Sequence, residues 1–216
     1  MNNFHLIIII VSFLIIFGCA YFKTIKEGLT PNNNIILIGD SVLNNTAYVP
    51  EGKSVIDNLK EKTSKVFNFA KDGAIIQDCY AQLDKIPLDF NNTNTYVFIS
   101  VGGNDILNNR GQLSNADTSA LFSKYLDFIN ALKAKLGSVN INICNLYMPS
   151  DPRYQSYKSS IDLWNQLVKQ YSNRVGAMYN IVDIYSLLNT PNDFIYSIEP
   201  SEQASVKIAN IIYITN

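Results

Sequence analysis

The residues able to do chemistry in this chain are few, and several sit in short Gly- and Asp-bearing runs. These are Gly39-Asp40-Ser41, Lys71-Asp72-Gly73 and Gly102-Gly103-Asn104-Asp105. Serine, glycine and asparagine are the types that acyl transfer uses, because such a reaction needs fixed hydrogen-bond donors where negative charge develops on the carbonyl oxygen. Singly, each has a plainer explanation, as a turn glycine, a helix-capping serine or a loop-tying asparagine. Other chemistries are excluded by counting. The one histidine, His5, lies near the start of the chain, so no imidazole is expected in the folded body. Of the three cysteines, Cys79 and Cys144 fall on a predicted helix and a predicted buried strand, where a thiol is usually a small core residue. No grouping of His, Cys and carboxylates has the spacing of a metal site, and no phosphate loop occurs. The expectation is a site with neither metal nor cofactor.

The elements that must position these residues alternate in type. Ile35 to Ile38 is an unbroken apolar run closed by Gly39, as in a parallel strand buried on both faces. Similar runs cover 65–70, 95–101, 140–147 and 178–183. Between them lie helical patterns over 53–63, 74–83, 117–136, 156–171 and 201–214. In the third of these, Leu121, Tyr125, Phe128, Ile129, Leu132 and Leu136 repeat at helical spacing; Asp117 or Asn115 is the expected cap, with Gly137 ending it. Five strands alternating with helices predict an α/β fold, a three-layer αβα sandwich with a five-stranded parallel sheet. In such sheets function collects at the carboxyl ends of the strands, where the three runs fall.

In this order and at these strand ends, Gly39-Asp40-Ser41-Val42, Asn68 to Gly73 and Gly102-Gly103-Asn104-Asp105 resemble the SGNH (GDSL-type) hydrolase superfamily. The resemblance extends over 35–212, with Met148-Pro149, Asn165 and Val182-Asp183 as later landmarks. It implies that Ser41 is the nucleophile, and that the Ser41 N–H, the Gly73 N–H and the Asn104 amide form the oxyanion hole. Asp40 and Asp105 would lie beside the pocket. The family's general base departs from the pattern. Where an Asp-x-x-His-Pro motif belongs, this chain has Tyr196-Ser197-Ile198-Glu199-Pro200, which places Glu199 in the histidine's position and Tyr196 in the aspartate's. Asp193 lies three residues further upstream. A carboxylic acid with an ordinary pKa of about 4.3 is a weaker base than an imidazole near 6.5, unless burial raises it.

Two functions follow. One is an SGNH-type hydrolase of small acyl or acetyl esters with a degenerate triad and weak or altered activity. The other is a catalytically inactive binding or structural module on a membrane, with an ester, glycan or lipid-like ligand. Seventeen Lys and Arg against 18 Asp and Glu leave a net charge of −1, which offers no field for nucleic acid. Hydrophobic residues at 47% are enough for a core. Residues 6–22 are apolar and followed by Lys23 and Lys26, which predicts a single-pass membrane anchor over 1–28. A cleaved signal, or a lipoprotein signal ending at Cys19, are the alternatives. A linker over 29–34 then leads to one domain over 35–216.

Overall fold

Asn34–Gly39 forms β1, and its five apolar and glycine residues after Asn34 are all buried. The computed structural model of the protein describes residues 33–109, 113–175 and 179–215. The other strands of the main sheet are β2 (Val66–Asn68), β3 (Thr95–Ser100), β4 (Asn140–Cys144) and β5 (Tyr179–Val182). They run parallel in the order β2-β1-β3-β4-β5, with Gly39 of β1 opposite Ser100 of β3. The strands are shorter than the apolar runs that announced them, because the run continues into buried loop backbone. Val101 and Leu146, for example, are buried beyond the strand ends.

Side chains alternate across the sheet and build two cores. Ile36, Ile38, Val97 and Ile99 face one side with α2 (Ile76–Asp84), α4 (Asn115–Lys135) and α5 (Lys158–Val175). Ile35, Leu37 and Phe98 face the other side with α1 (Val55–Lys60) and α7 (Glu202–Ile214). Two short helices, α3 (Gly103–Asn108) and α6 (Ile184–Leu187), follow β3 and β5. The αβα sandwich and five parallel strands are therefore present as expected. Ser114, not Asp117 or Asn115, caps α4: its Oγ accepts from the Asp117 N–H at 3.1 Å. Gly137 follows the C-cap residue Leu136, at the helix end as expected, but without left-handed backbone.

A feature absent from the sequence reading is a hairpin of β6 (Phe194–Ile195) and β7 (Glu199–Pro200). Two-residue strands are too short to show a periodicity. The expected anchor over 6–22, with His5 and Cys19, lies outside the described residues. No helix among the described residues is long and apolar enough to cross a membrane.

The end of β1 is fixed by a side chain. Gln82, buried on α2, accepts from the Gly39 N–H at 2.7 Å and donates to the Gly39 carbonyl at 2.9 Å. Asn165 on α5 grips Leu146 beyond β4 in the same two-way fashion, at 2.8 and 2.7 Å. Gln82→Leu leaves the Gly39 N–H unpaired in a dry site while the Gly39 carbonyl keeps the Lys71 N–H at 2.9 Å, and one unsatisfied buried group typically costs about 1–3 kcal/mol. We expect a loss of about 1–3 kcal/mol in urea denaturation; a shift below the resolution of that measurement would mean that water replaces the amide.

Candidate active site

Ser41 leaves β1 on a tight turn. The Leu43 and Asn44 N–H groups donate to the Asp40 carbonyl at 3.2 and 3.1 Å, and the Asp40 N–H reaches back to Ser100 O at 2.9 Å. The Asp40 carboxylate is buried under this turn, where Oδ1 accepts from the Val42 N–H and the Ser100 hydroxyl, each at 3.1 Å. Burial pushes its pKa up to about 7; the two hydrogen bonds oppose the rise and the charge of Glu199 adds to it. Ser41 itself is only 7% exposed. Its position depends on Gly39, whose φ of +127° and contact with Ser100 leave no room for a Cβ.

The second group comes from β3. Gly102 turns the chain with φ +111° under the Trp164 ring, and α3 begins at once, placing Asn104 on its first turn. The Asn104 amide donates one hydrogen to the Ala74 carbonyl at 3.0 Å. An amide carries two N–H donors, so a second remains. Gly73, adjacent to Ala74, is exposed with φ +70° in the turn closed by the Ala74 N–H to Lys71 O at 3.1 Å. It does not line the pocket, although Asn104 ties its neighbour to the site. Asp105 points away to the start of α2, accepting from the Ile76 N–H at 3.1 Å, and burial raises its pKa.

The third group is Glu199 on β7. Three contacts hold its hairpin against the body. The Tyr147 hydroxyl donates to Ile198 O at 2.7 Å, and its ring packs on Phe194 at 5.3 Å. Asn45, wholly buried four residues after Ser41, donates to Pro200 O at 3.1 Å and to the Ser205 hydroxyl at 2.7 Å. Its remaining atom, Oδ1, accepts from the Val55 N–H at 3.0 Å. The Ser41 hydroxyl and the Glu199 carboxylate line the same pocket. Burial raises the Glu199 pKa, Ser41 lowers it, and the charge of Asp72 raises it again. Its Oε2 is buried without a hydrogen-bond partner.

Neither candidate orienting acid supports Glu199. Tyr196, placed by sequence in the aspartate's position beside the pocket, is 72% exposed and lines no part of it. The reason is the turn: Tyr196 and Ser197 both have left-handed backbone (φ +51° and +74°), which throws the ring outward to meet Tyr48 edge-on at 6.3 Å. Asp193 is fully committed elsewhere. Its Oδ2 accepts from the Thr190 N–H at 3.0 Å and the Thr190 hydroxyl at 2.8 Å, and its Oδ1 pairs with Lys207 at 2.6 Å.

Asp40, Ser41, Asn104 and Glu199 share one narrow pocket with apolar walls from Ile106, Leu107, Leu146 and Ile161. Tyr147, Tyr154 and Tyr157 add rings to it, and the interior is about 50 Å³. Sequence reasoning missed Gln82 and Asn45, which position the turn and the hairpin. Buried amides of this kind belong to no motif, and their only signal is a polar residue within an apolar helical stripe or loop.

A five-stranded parallel sandwich with a serine turn at the β1 edge and an Asn-bearing helix at the β3 edge has the architecture of an SGNH-type hydrolase. A family profile described as GDSL-like Lipase/Acylhydrolase matches residues 35–184. The chain belongs to that family of ester hydrolases, within the SGNH superfamily. The matched stretch ends upstream of Glu199. Among solved structures, a member of the lipolytic G-D-S-L family from Veillonella parvula superposes with a TM-score of 0.64 at 18% identity, covering 82% of this chain and 94% of that one. A lipase from a goat rumen metagenome gives 0.66 at 16% identity, covering 84% and 96%. A lipase/acylhydrolase from Enterococcus faecalis gives 0.61 at 15%, covering 84% and 93%. At these identities the likeness concerns the fold. No curated protein sequence matches the chain.

Proposed function

We propose that the protein hydrolyses esters of small acyl groups through Ser41, with Glu199 in place of the family's histidine. The observation that carries this reading is the meeting of the Ser41 hydroxyl and the half-buried Glu199 carboxylate in one apolar pocket. In the reaction, Ser41 Oγ attacks the ester carbonyl while its proton passes to Glu199. The oxyanion faces the Asn104 amide and the Ser41 backbone N–H. Collapse expels the alkoxide, which takes the proton from Glu199 and leaves as the alcohol. Water then attacks the acyl-serine, its proton moving to Glu199, and collapse returns that proton to Ser41 as the acid departs. The pocket interior sets the size of the acyl group. About 50 Å³ admits roughly three to five water-sized spheres at about 10–15 Å³ each, which suits a short acyl chain.

A base must be ionised to accept the serine proton. Because burial raises the Glu199 pKa above the ordinary glutamate value, turnover of short-chain aryl esters should rise with pH through a midpoint above that value. Glu199→Gln should lower kcat by about 10²–10⁴ and flatten that limb. A rising limb that survives in Glu199→Gln would assign the proton transfer to another group.

A second reading is a non-catalytic binding module, with the same pocket holding a ligand that is not cleaved. The absence of an orienting acid behind Glu199 favours it. Lack of turnover by the purified full chain across the pH range, with retained ligand binding, would select this reading.

A further inference from the structure

The pocket has carboxyl acceptors but no basic side chain to meet them. Asp40 and Glu199 both line it, and no Lys, Arg or His is among the described residues of its lining. Asp72, held by the Tyr48 hydroxyl at 2.6 Å, adds a third carboxylate close enough to act on Glu199. Three basic side chains in the neighbouring segments are engaged elsewhere. Lys207 pairs with Asp193, and Arg153 pairs with Asp151 while donating to Ser197 Oγ at 2.8 Å. Lys158 pairs with Asp162. The Tyr147 hydroxyl on the pocket wall is spent on Ile198 O. Glu199 Oε2 is thus a buried carboxylate oxygen with no protein hydrogen-bond partner, an acceptor that a ligand donor could meet.

We infer that the group completing this site comes from the ligand: a primary ammonium, carried on the acyl side of the ester, that donates to Glu199 Oε2. The substrate class is therefore an α-aminoacyl ester. This rests on the reading of Ser41 as nucleophile, which fixes where the carbonyl lies. Glu199 and Ser41 share one narrow pocket, and Ser41 is near enough to act on the carboxylate, so a cation bound by Glu199 sits close to the reacting carbon. An α-ammonium satisfies that limit, being separated from the carbonyl carbon by one atom. A small amino acid such as alanine also respects the size of the interior. The tyrosine rings of the lining favour a cation over a neutral group of equal size. An acyl group bearing a carboxylate or phosphate is disfavoured by the same field.

The test compares alanine ethyl ester with ethyl propanoate, which has nearly the same shape but no amine, and with N-acetylalanine ethyl ester, which is uncharged. Measurements at pH 6.5 keep the α-amino group protonated, its ordinary pKa being about 7.7–8.0. Binding is read by calorimetry in Ser41→Ala, where no ester is consumed, and again in Ser41→Ala with Glu199→Gln. The expected result is at least tenfold tighter binding of alanine ethyl ester than of either neutral ester, falling to parity in the double variant. Hydrolysis by the unaltered full chain should show the same order in kcat/KM. Equal binding of charged and neutral esters, or a preference that persists in Glu199→Gln, overturns the inference. The two readings fail separately. Hydrolysis of ethyl propanoate with no ammonium preference leaves Ser41 catalysis standing and removes the aminoacyl assignment. Ammonium-selective binding without turnover removes catalysis and keeps the ligand class.

Discussion

Replacing Ser41 with alanine is expected to reduce ester hydrolysis by the full chain at least about a hundredfold, to the level left by binding and oxyanion donors alone. Among the described residues lining the pocket, Ser41 carries the only aliphatic hydroxyl, the group that forms a stable acyl ester and can be activated by a neighbouring base. Serine removal from a complete triad costs about 10⁶ in kcat. The loss here is smaller because a carboxylate without an orienting acid activates the hydroxyl less in the intact protein. Ser41 is 7% exposed and its side chain supports no element, so the variant should fold with an unchanged melting temperature. Steady-state rates with short aryl esters and a thermal melt decide the matter together. An undiminished rate in a folded Ser41→Ala protein would refute serine catalysis.

The largest structural effect is expected from Gly39→Ala. A Cβ at this position would lie 1.7 Å from the Ser100 carbonyl oxygen, a backbone atom of the paired strand. Neither strand can yield, because Gly39 is held on its other flank by Gln82 and Ser100 is registered opposite it. The φ of +127° adds a conformation that L-residues rarely adopt. Relief requires β1 and β3 to separate, and these are central strands. We expect the variant to lose cooperative unfolding or to be recovered unfolded, as read by near-UV circular dichroism. A native-like melt would show that the strand ends can part without loss of the sheet.

Much of this organisation was legible in the chain. The β1 and β3 signals were strong because both strands are buried on both faces, so their apolar runs are continuous. Their ends were legible too, since Gly39 and Gly102 mark turns that no other residue fits. The site's fourth part was harder. Glu199 could be placed opposite Ser41 only by counting back from the last helix, whereas the hairpin that carries it leaves no periodic trace. Tyr196 was misplaced for the same reason. Spacing along an assumed approach to a helix put it beside Glu199, but two consecutive left-handed residues reverse the chain there and turn the ring to solvent. Asp193 shows the limit of charge alone as a signal, since its partner Lys207 is 14 residues away along the chain.

Asn45 has a consequence for how the pocket meets a ligand. Every polar atom of this one amide is used, and its partners belong to α1, to β7 and to α7. Prising the hairpin outward would strand those atoms in a place that water does not reach, so neither wall can yield without the other. A cleft knotted in this way behaves as a mould rather than a glove: it sorts visitors by whether they already match its contour, and gives little ground to those that do not.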